Sequence, residues 1–205
     1  MTGRYPRIFL FAIFAASMLL SAVYAGRHLY IRHVGITLRT DREFEPKKML
    51  FHLQNDPRWA SEPIGRSAST MGEAGCLLAC VASAMTDLGV EVTPAQLNAN
   101  LTSADGFSHD RLVWNRIGNA IPEFDYTYSR IFGAGRIQKD LERGLLPIVN
   151  VRYFKTGVTH WVVIVGAGGG EFLCLDPADR SRAPLPLSRH GKVYAYRVIR
   201  RRSPP

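Results

Sequence analysis

Residues 69–85, STMGEAGCLLACVASAM, place a cysteine directly after a glycine at the start of a run of small and apolar residues. This pattern predicts a buried helix over residues 76–88, with Gly89 as its stop signal. Thr70 and Glu73 have the spacing of a capping pair for a first helical turn. The stretch therefore predicts a core helix whose first residue is Cys76.

Cys76 is the candidate nucleophile of the chain. Unpaired backbone N–H groups and the positive end of the helix dipole favour a thiolate at a helix N-terminus. A small buried core residue is the alternative interpretation of the same position. Cys80, one turn later, and Cys174 are expected to be packing residues. Three cysteines are too few for a disulfide scaffold, and in an oxidising compartment an odd number leaves a thiol unpaired.

The rest of the chain predicts helices first and strands second. Thr93 and Pro94 begin a short helix as N-cap and first helical residue. Two further helices are predicted over residues 110–121 and 136–144. Short β-branched and aromatic runs then predict strands over residues 146–154, 159–167, 171–177 and 192–199. The fold class is therefore α+β, with a helical part that carries the nucleophile helix packed on an antiparallel sheet.

Residues 159–177, THWVVIVGAGGGEFLCLDP, predict a hairpin that brings a histidine next to a carboxylate. If the turn is centred near Gly168, His160 lies opposite Asp176 on the same face. A slip of one residue would place the two on opposite faces. A cysteine nucleophile needs such a histidine as base and a third group to orient it.

The remaining histidines are weaker candidates for the base. His28 and His33 lie in a predicted tether, and the others lie in loop-like surroundings without a partner at a telling spacing: His52, His109 and His190. A zinc site is an alternative with suitable ligand types: Cys76, Cys80, His160 and Cys174. Its helical cysteines lack the usual short-loop spacing, and Asp176 would have no role. No metal and no cofactor is therefore expected.

The N-terminus predicts export. Arg4 and Arg7 precede an uncharged apolar run over residues 8–23, and residues 23–25, VYA, have the small-x-small pattern of a signal-peptidase site. The run fits a cleaved signal or a retained membrane anchor. The predicted organisation is a signal or anchor over 1–25, a tether over 26–48, one globular domain over 49–200 and a basic tail over 201–205.

The net charge of +9 is spread along the chain rather than concentrated in one motif. A basic surface can bind nucleic acid, anionic lipid headgroups or an acidic cell-wall polymer. The arginines are scattered, and the cluster over residues 200–202 is expected to be a solvated end. No specific nucleic-acid partner is predicted.

Three segments together resemble the papain-like cysteine peptidases of family thirty-nine, in their stand-alone peptidase-like branch. They are residues 51–101, which contain FHLQNDPRW and GEAGCLLACVASAM, then LPIVNV and THWVVIVGAGGGEFLCLDPA. The resemblance implies a papain-like fold with Cys76 as nucleophile, His160 as general base and Asp176 as its orienter. It also implies that Gln54 is the oxyanion-hole side chain, and that Asp56, Trp59 and Trp161 are structural.

Two departures separate this chain from the family members that act in exporters and cut after a double glycine. Gln54 lies 22 positions before Cys76, a longer gap, and Leu77 stands where those members have glycine. The expected function is an exported or membrane-tethered cysteine peptidase that acts as a monomer on a peptide or protein through a thioester acyl-enzyme. A hydrolase of cell-wall stem peptides and a catalytically silent binding module are the alternatives.

Overall fold

The computed structural model describes residues 5–154 and 156–202. The helices are α1 (Tyr5–Val34), α2 (Met71–Ala74), α3 (Cys76–Asp87), α4 (Pro94–Ser103), α5 (Ile117–Ala120) and α6 (Ala134–Glu142). The strands are β1 (Phe107–Ser108), β2 (Arg111–Leu112), β3 (Phe124–Tyr128), β4 (Pro147–Arg152), β5 (Thr159–Gly168), β6 (Glu171–Leu175), β7 (Leu185–Pro186) and β8 (Ala195–Arg201). Short 3₁₀ helices span Trp114–Arg116 and Leu187–His190.

An antiparallel sheet of six strands, in the order β3-β8-β4-β5-β6-β7, forms the centre of the domain. One hydrophobic cluster joins one face of the sheet to α3 and α4, and a second cluster joins the other face to α6. The predicted α+β class is confirmed. The prediction that the helices precede the strands was only partly correct, because β3 precedes α6. Residues 110–121 were also wrongly predicted as one helix, since they form β2, a 3₁₀ turn and the single turn of α5.

Helix α3 is buried on almost every side, as its composition predicts. Its one buried hydroxyl, that of Ser83, donates to the Ala79 carbonyl at 2.7 Å and accepts from the His52 backbone N–H at 2.9 Å. The helix can therefore bury a polar group without leaving it unsatisfied. The hydrogen bond from the His52 N–H also holds the loop that carries Gln54 against α3.

The predicted first turn is a separate helix, α2. Thr70 and Glu73 form its capping box, and Gly75 joins it to α3. A Cβ on Gly75 would lie 2.3 Å from the Met71 carbonyl oxygen, so the junction requires glycine. Helical structure consequently restarts at Cys76.

A β-bulge at Val165 determines which faces of β5 and β6 coincide. The strand partners on either side of it are Ile164 with Cys174 and Gly166 with Leu173. Val165 is therefore an extra residue in β5. The register of β5 against β6 shifts by one residue at this point, which changes the residues of the two strands that share a face. The turn is centred on Gly169 and Gly170, so the predicted register around Gly168 was wrong.

The predicted tether over residues 26–48 is packed on the domain, which corrects that expectation. Helix α1 continues through Val34, and Ile31 is buried with a relative exposure of 1%. Ile36 then forms a β-bridge with Val193 and Phe44 forms one with Ala167. The apolar side chains of this segment complete the core on the α6 side of the sheet, which explains its order.

The predicted basic tail begins later than residue 201. Arg201 is paired with Phe124 as the last residue of β8, and the Arg202 N–H donates to the Glu123 carbonyl at 2.7 Å. Backbone pairing with β3 thus extends the sheet into the arginine cluster. Residues 203–205 lie outside the described residues.

Replacing Gly166 by alanine should destabilise the domain, because a Cβ there would lie 2.7 Å from the Phe44 carbonyl oxygen and 2.8 Å from Pro46 Cα. We expect a loss of about 1–3 kcal/mol in the free energy of unfolding, as for other overpacked sites, measured by urea denaturation. Gly135→Ala is the matched control, since its Cβ would meet nothing closer than 4.0 Å. Equal stability of the two variants would contradict this account of the bulge.

Candidate active site

His160 and Asp176 form a buried hydrogen-bonded pair. His160 is the second residue of β5, Asp176 directly follows β6, and His160 Nε2 lies 2.7 Å from Asp176 Oδ1. The Ala178 N–H donates to the same oxygen at 2.8 Å. The relative exposures of the two residues are 5% and 3%, so water does not screen the pair strongly.

The bulge is the reason why these two side chains meet. Without the extra residue, Asp176 would lie opposite Val163, which points to the other face of the sheet from His160. With the extra residue, the register continues past the Val163–Leu175 pair and places Asp176 opposite Val162. Val162 shares a face with His160, so Asp176 and His160 are diagonal neighbours. The prediction that they share a face was correct although the predicted register was not.

Cys76 is the first residue of α3, and it lies close enough to His160 for its side chain to help raise the pKa of that imidazole. Since Nε2 faces Asp176, Nδ1 is the ring nitrogen left for the sulfur. Helix α3 packs on β5, which brings the helix N-terminus to the His160 end of the strand. The structure thus brings Cys76, His160 and Asp176 together in the order that a sulfur nucleophile, a base and an orienting carboxylate require.

Electrostatics favour the protonated imidazole. Burial opposes a charge on His160, but the hydrogen bond to Asp176 and the nearby Cys76 side chain outweigh it and raise the pKa of His160 from 6.5 to about 9. Burial likewise opposes a charge on Asp176, and the hydrogen bond from His160 still holds the pKa of that carboxyl below its ordinary value. A cation beside a sulfur favours the thiolate, which is the nucleophilic form.

Gln54 lies next to the same helix junction. Its Nε2 donates to the Gly72 carbonyl at 2.8 Å, and its backbone N–H donates to the Pro177 carbonyl at 2.9 Å. Gly72 is one turn before Cys76, and Pro177 directly follows Asp176. The Gln54 amide is therefore fixed at α2, one turn before Cys76, with one amide N–H left to donate.

His190 is a residue of the site that the sequence did not reveal. The sequence predicts no partner for His190. In the structure its Nε2 lies 3.5 Å from Asp176 Oδ2, and its ring centroid lies 6.0 Å from that of His160. Burial lowers the pKa of His190, which favours its neutral form. It comes from a 3₁₀ turn between β7 and β8, and no spacing in the sequence relates that turn to Asp176.

Cys80 and Cys174 are fully buried core residues, and all three cysteines are free. Burial raises the pKa of both thiols far above the usual range, and the Cys80 Sγ donates to the Trp161 carbonyl at 3.4 Å. Over the part of the chain that the structure describes, no three His, Cys, Asp or Glu side chains are grouped as metal ligands. The zinc alternative therefore has no geometric support.

Helix α1 contains a stretch, Phe9–Val34, that is long and apolar enough to cross a membrane. By length and composition it is compatible with a signal sequence or with a membrane anchor.

Comparison with solved structures identifies the fold. A protein from Bacillus anthracis described as a "putative C39-like peptidase" superposes with a TM-score of 0.54 at 13% sequence identity, covering 80% of this chain and 100% of the other. The chain has a C39-like peptidase fold. No family model and no curated protein sequence matches it. The expected papain-like architecture is thereby confirmed at the level of the fold.

The His160–Asp176 pair should make stability pH-dependent. In a Cys76→Ala variant, which removes the sulfur, we expect the hydrogen bond to Asp176 to keep the pKa of His160 above its unfolded-state value of 6.5. Stability is then complete below about pH 6.5 and is lost as pH rises through the folded pKa, which is no higher than about 9. We expect a fall on the order of 1–2 kcal/mol by urea denaturation at stepped pH. The profile should flatten when Asp176→Asn is added, and an unchanged slope would argue against the pair.

His190 should act by positioning Asp176. We expect His190→Leu to slow alkylation of Cys76, because Asp176 then loses the polar neighbour that lies 3.5 Å from its Oδ2 and is held less firmly behind His160. His190→Gln keeps a polar side chain at this position and should restore part of the rate. If the leucine and glutamine variants behave alike, His190 serves only to fill space.

Proposed function

We propose that this chain is a cysteine peptidase that cleaves amide bonds of peptides or proteins through a thioester acyl-enzyme. The observation that carries the proposal is the buried His160–Asp176 hydrogen bond at 2.7 Å, with Cys76 at the start of α3 beside the same imidazole. The C39-like peptidase fold supports it. We further propose that the chain is exported and that α1 is retained as an anchor, since α1 is one continuous helix over Tyr5–Val34 and residues 23–25, the candidate cleavage site, lie within it.

The geometry suggests the role of each side chain. The Cys76 thiolate attacks the carbonyl carbon, a C–S bond forms, and negative charge develops on the carbonyl oxygen. The free N–H of Gln54 and the Cys76 backbone N–H stabilise that oxyanion. His160 gives its proton to the leaving nitrogen as the C–N bond breaks. Water then attacks the thioester, His160 accepts its proton, and the C–S bond breaks.

Alkylation by iodoacetamide tests the reactive cysteine. At neutral pH we expect Cys76 to react at least about tenfold faster than free cysteine, since its sulfur lies at a helix N-terminus beside the imidazole of His160. The rate should fall at low pH and in His160→Ala. Mass spectrometry of the native protein identifies the labelled residue and the mature N-terminus together. Cys80 and Cys174 are internal controls, because both are fully buried.

A thiol of ordinary reactivity at Cys76 would contradict the proposal. Loss of the N-terminal helix from the native protein would contradict the retained anchor and leave the peptidase proposal intact. A cellular phenotype that survives Cys76→Ala would favour a silent binding module of the same fold.

Gln54 should contribute to the rate of the chemical step. We expect Gln54→Ala to lower kcat by about 10²–10³ with little change in KM, measured on a fluorogenic peptide library. Gln96→Ala is the control, because this glutamine caps α4 at Thr93, away from the site. Equal losses in the two variants would show that Gln54 supports only the fold.

A further inference from the structure

The C-terminal end of α1, directly after the apolar part of the helix, is packed into the domain. Residues 8–26 are uncharged and span about 28 Å as a helix, close to the roughly 30 Å hydrocarbon core of a bilayer. Arg27 is the first charge after them, and Ile31, four residues later, is already buried in the domain. If residues 8–26 cross the membrane, the domain begins within about one helical turn, or 5–6 Å, of the hydrocarbon boundary.

Tyr24 and Tyr30 strengthen this placement. Both are exposed and flank the boundary at Arg27, where amphipathic aromatic rings are enriched in membrane proteins. Every large apolar side chain of α1 between Phe9 and Tyr30 is exposed in the described structure, so no part of the domain covers that surface. A lipid bilayer is the occupant that matches its length and composition.

The C-terminal end of α1 lies at the end of the sheet that carries the candidate active site. A Cβ on Gly35 would lie 2.9 Å from the Tyr194 ring, so the two are in close contact. The Arg152 guanidinium lies 4.9 Å from the centroid of the Tyr194 ring and donates to Thr159 Oγ1 at 2.9 Å. Thr159 directly precedes His160. The end of α1 and His160 are therefore about three strand spacings, or roughly 15 Å, apart.

A second set of contacts gives the same proximity through the backbone. Ile36 is bridged to Val193, and the next residue, Tyr194, donates its N–H to the Asn150 carbonyl at 2.9 Å. The Asn150 side chain donates to the His160 carbonyl at 3.1 Å. The position of the imidazole is thus coupled to the segment that leaves α1.

The surface around this sheet end has the composition of a membrane-contacting edge. Val158 and Phe154, at the β4–β5 connection, have relative exposures of 59% and 43%. Arg152 and Arg189 are exposed beside them, and the Arg189 guanidinium lies 4.9 Å from the Phe154 ring centroid. Exposed apolar side chains among arginines favour an anionic bilayer surface.

We propose that the candidate active site faces the membrane surface and that its substrates are membrane-anchored polypeptides, cut in the segment next to the bilayer. This inference rests on the proposed peptidase function and on retention of α1. The nearby bilayer raises the effective concentration of an anchored chain at Cys76 and disfavours attack on a peptide free in solution.

A lipid that carries iodoacetamide on a short headgroup spacer tests the proposal. The full chain is reconstituted in vesicles of phosphatidylcholine with a minority of phosphatidylglycerol, and alkylation of Cys76 by the lipid-borne reagent is compared with alkylation by free iodoacetamide. The control is a cysteine at Glu91 in a Cys76→Ala background. Glu91 follows the far end of α3, a helix of 12 residues and about 18 Å in length that begins at Cys76.

We expect the ratio of lipid-borne to free rates to be at least about tenfold higher at Cys76 than at the control cysteine. Val158→Asp should lower the lipid-borne rate and leave the free rate unchanged, because a carboxylate disfavours contact with an anionic bilayer. Equal ratios at the two positions, with fast free alkylation of Cys76, would overturn the membrane-facing site and leave the proposed function standing. Slow alkylation of Cys76 by both reagents would instead remove the proposed function.

A spin label tests the geometry without any reactivity of Cys76. Labels are attached to Val158→Cys or to Glu91→Cys, each in the Cys76→Ala background, in the same vesicles. We expect the label at residue 158 to be relaxed mainly by oxygen from the lipid phase and the label at residue 91 mainly by a nickel chelate in water. If both labels are equally water-accessible, the orientation is wrong.

Discussion

The extra residue at Val165 is the constraint on which the arrangement of the site depends. Pairing from the Gly169–Gly170 turn would place Asp176 on the opposite face of the sheet from His160, and the bulge reverses that outcome. Gly166 makes the bulge possible in this packing, because the backbone at Phe44 and Pro46 crosses where a Cβ would lie. A segment expected to be a tether therefore helps to fix a hydrogen bond between two buried polar groups at the other end of β5.

The site combines elements from separate parts of the chain that the domain core holds in place. The small residues of α3 let this helix lie close to β5, so that its N-terminus meets the imidazole. The loop with Gln54 is fixed at both ends, by Ser83 of α3 through the His52 N–H and by the Pro177 carbonyl. Asp176 in turn accepts hydrogen bonds from His160 and from the Ala178 N–H, with His190 nearby. Such support restricts side-chain motion, which a reactive geometry within a few tenths of an ångström requires.

The same packing relates the site to the N-terminal helix. Ile31 is part of the core on the α6 side of the sheet, and the contacts of Gly35 and Ile36 with Tyr194 and Val193 lead to the strand ends at His160. An apolar helix joined rigidly to a domain positions that domain, whereas a flexible tether would let it rotate freely. The proposed membrane-facing site follows from this rigid connection rather than from the apolar sequence of α1 alone.

The sequence by itself determined the α+β class, the helix that begins at Cys76, the start of α4 at Thr93 and Pro94, and the candidates Cys76, His160, Asp176 and Gln54. These depend on local signals, namely composition, capping residues and strand periodicity, together with motifs that resemble a known family. Tertiary structure alone decided the register of β5 and β6, the packing of residues 26–48, the strand β3 and the place of His190 beside Asp176. Each of these depends on contacts between residues far apart in the chain, for which a single sequence carries no local signal.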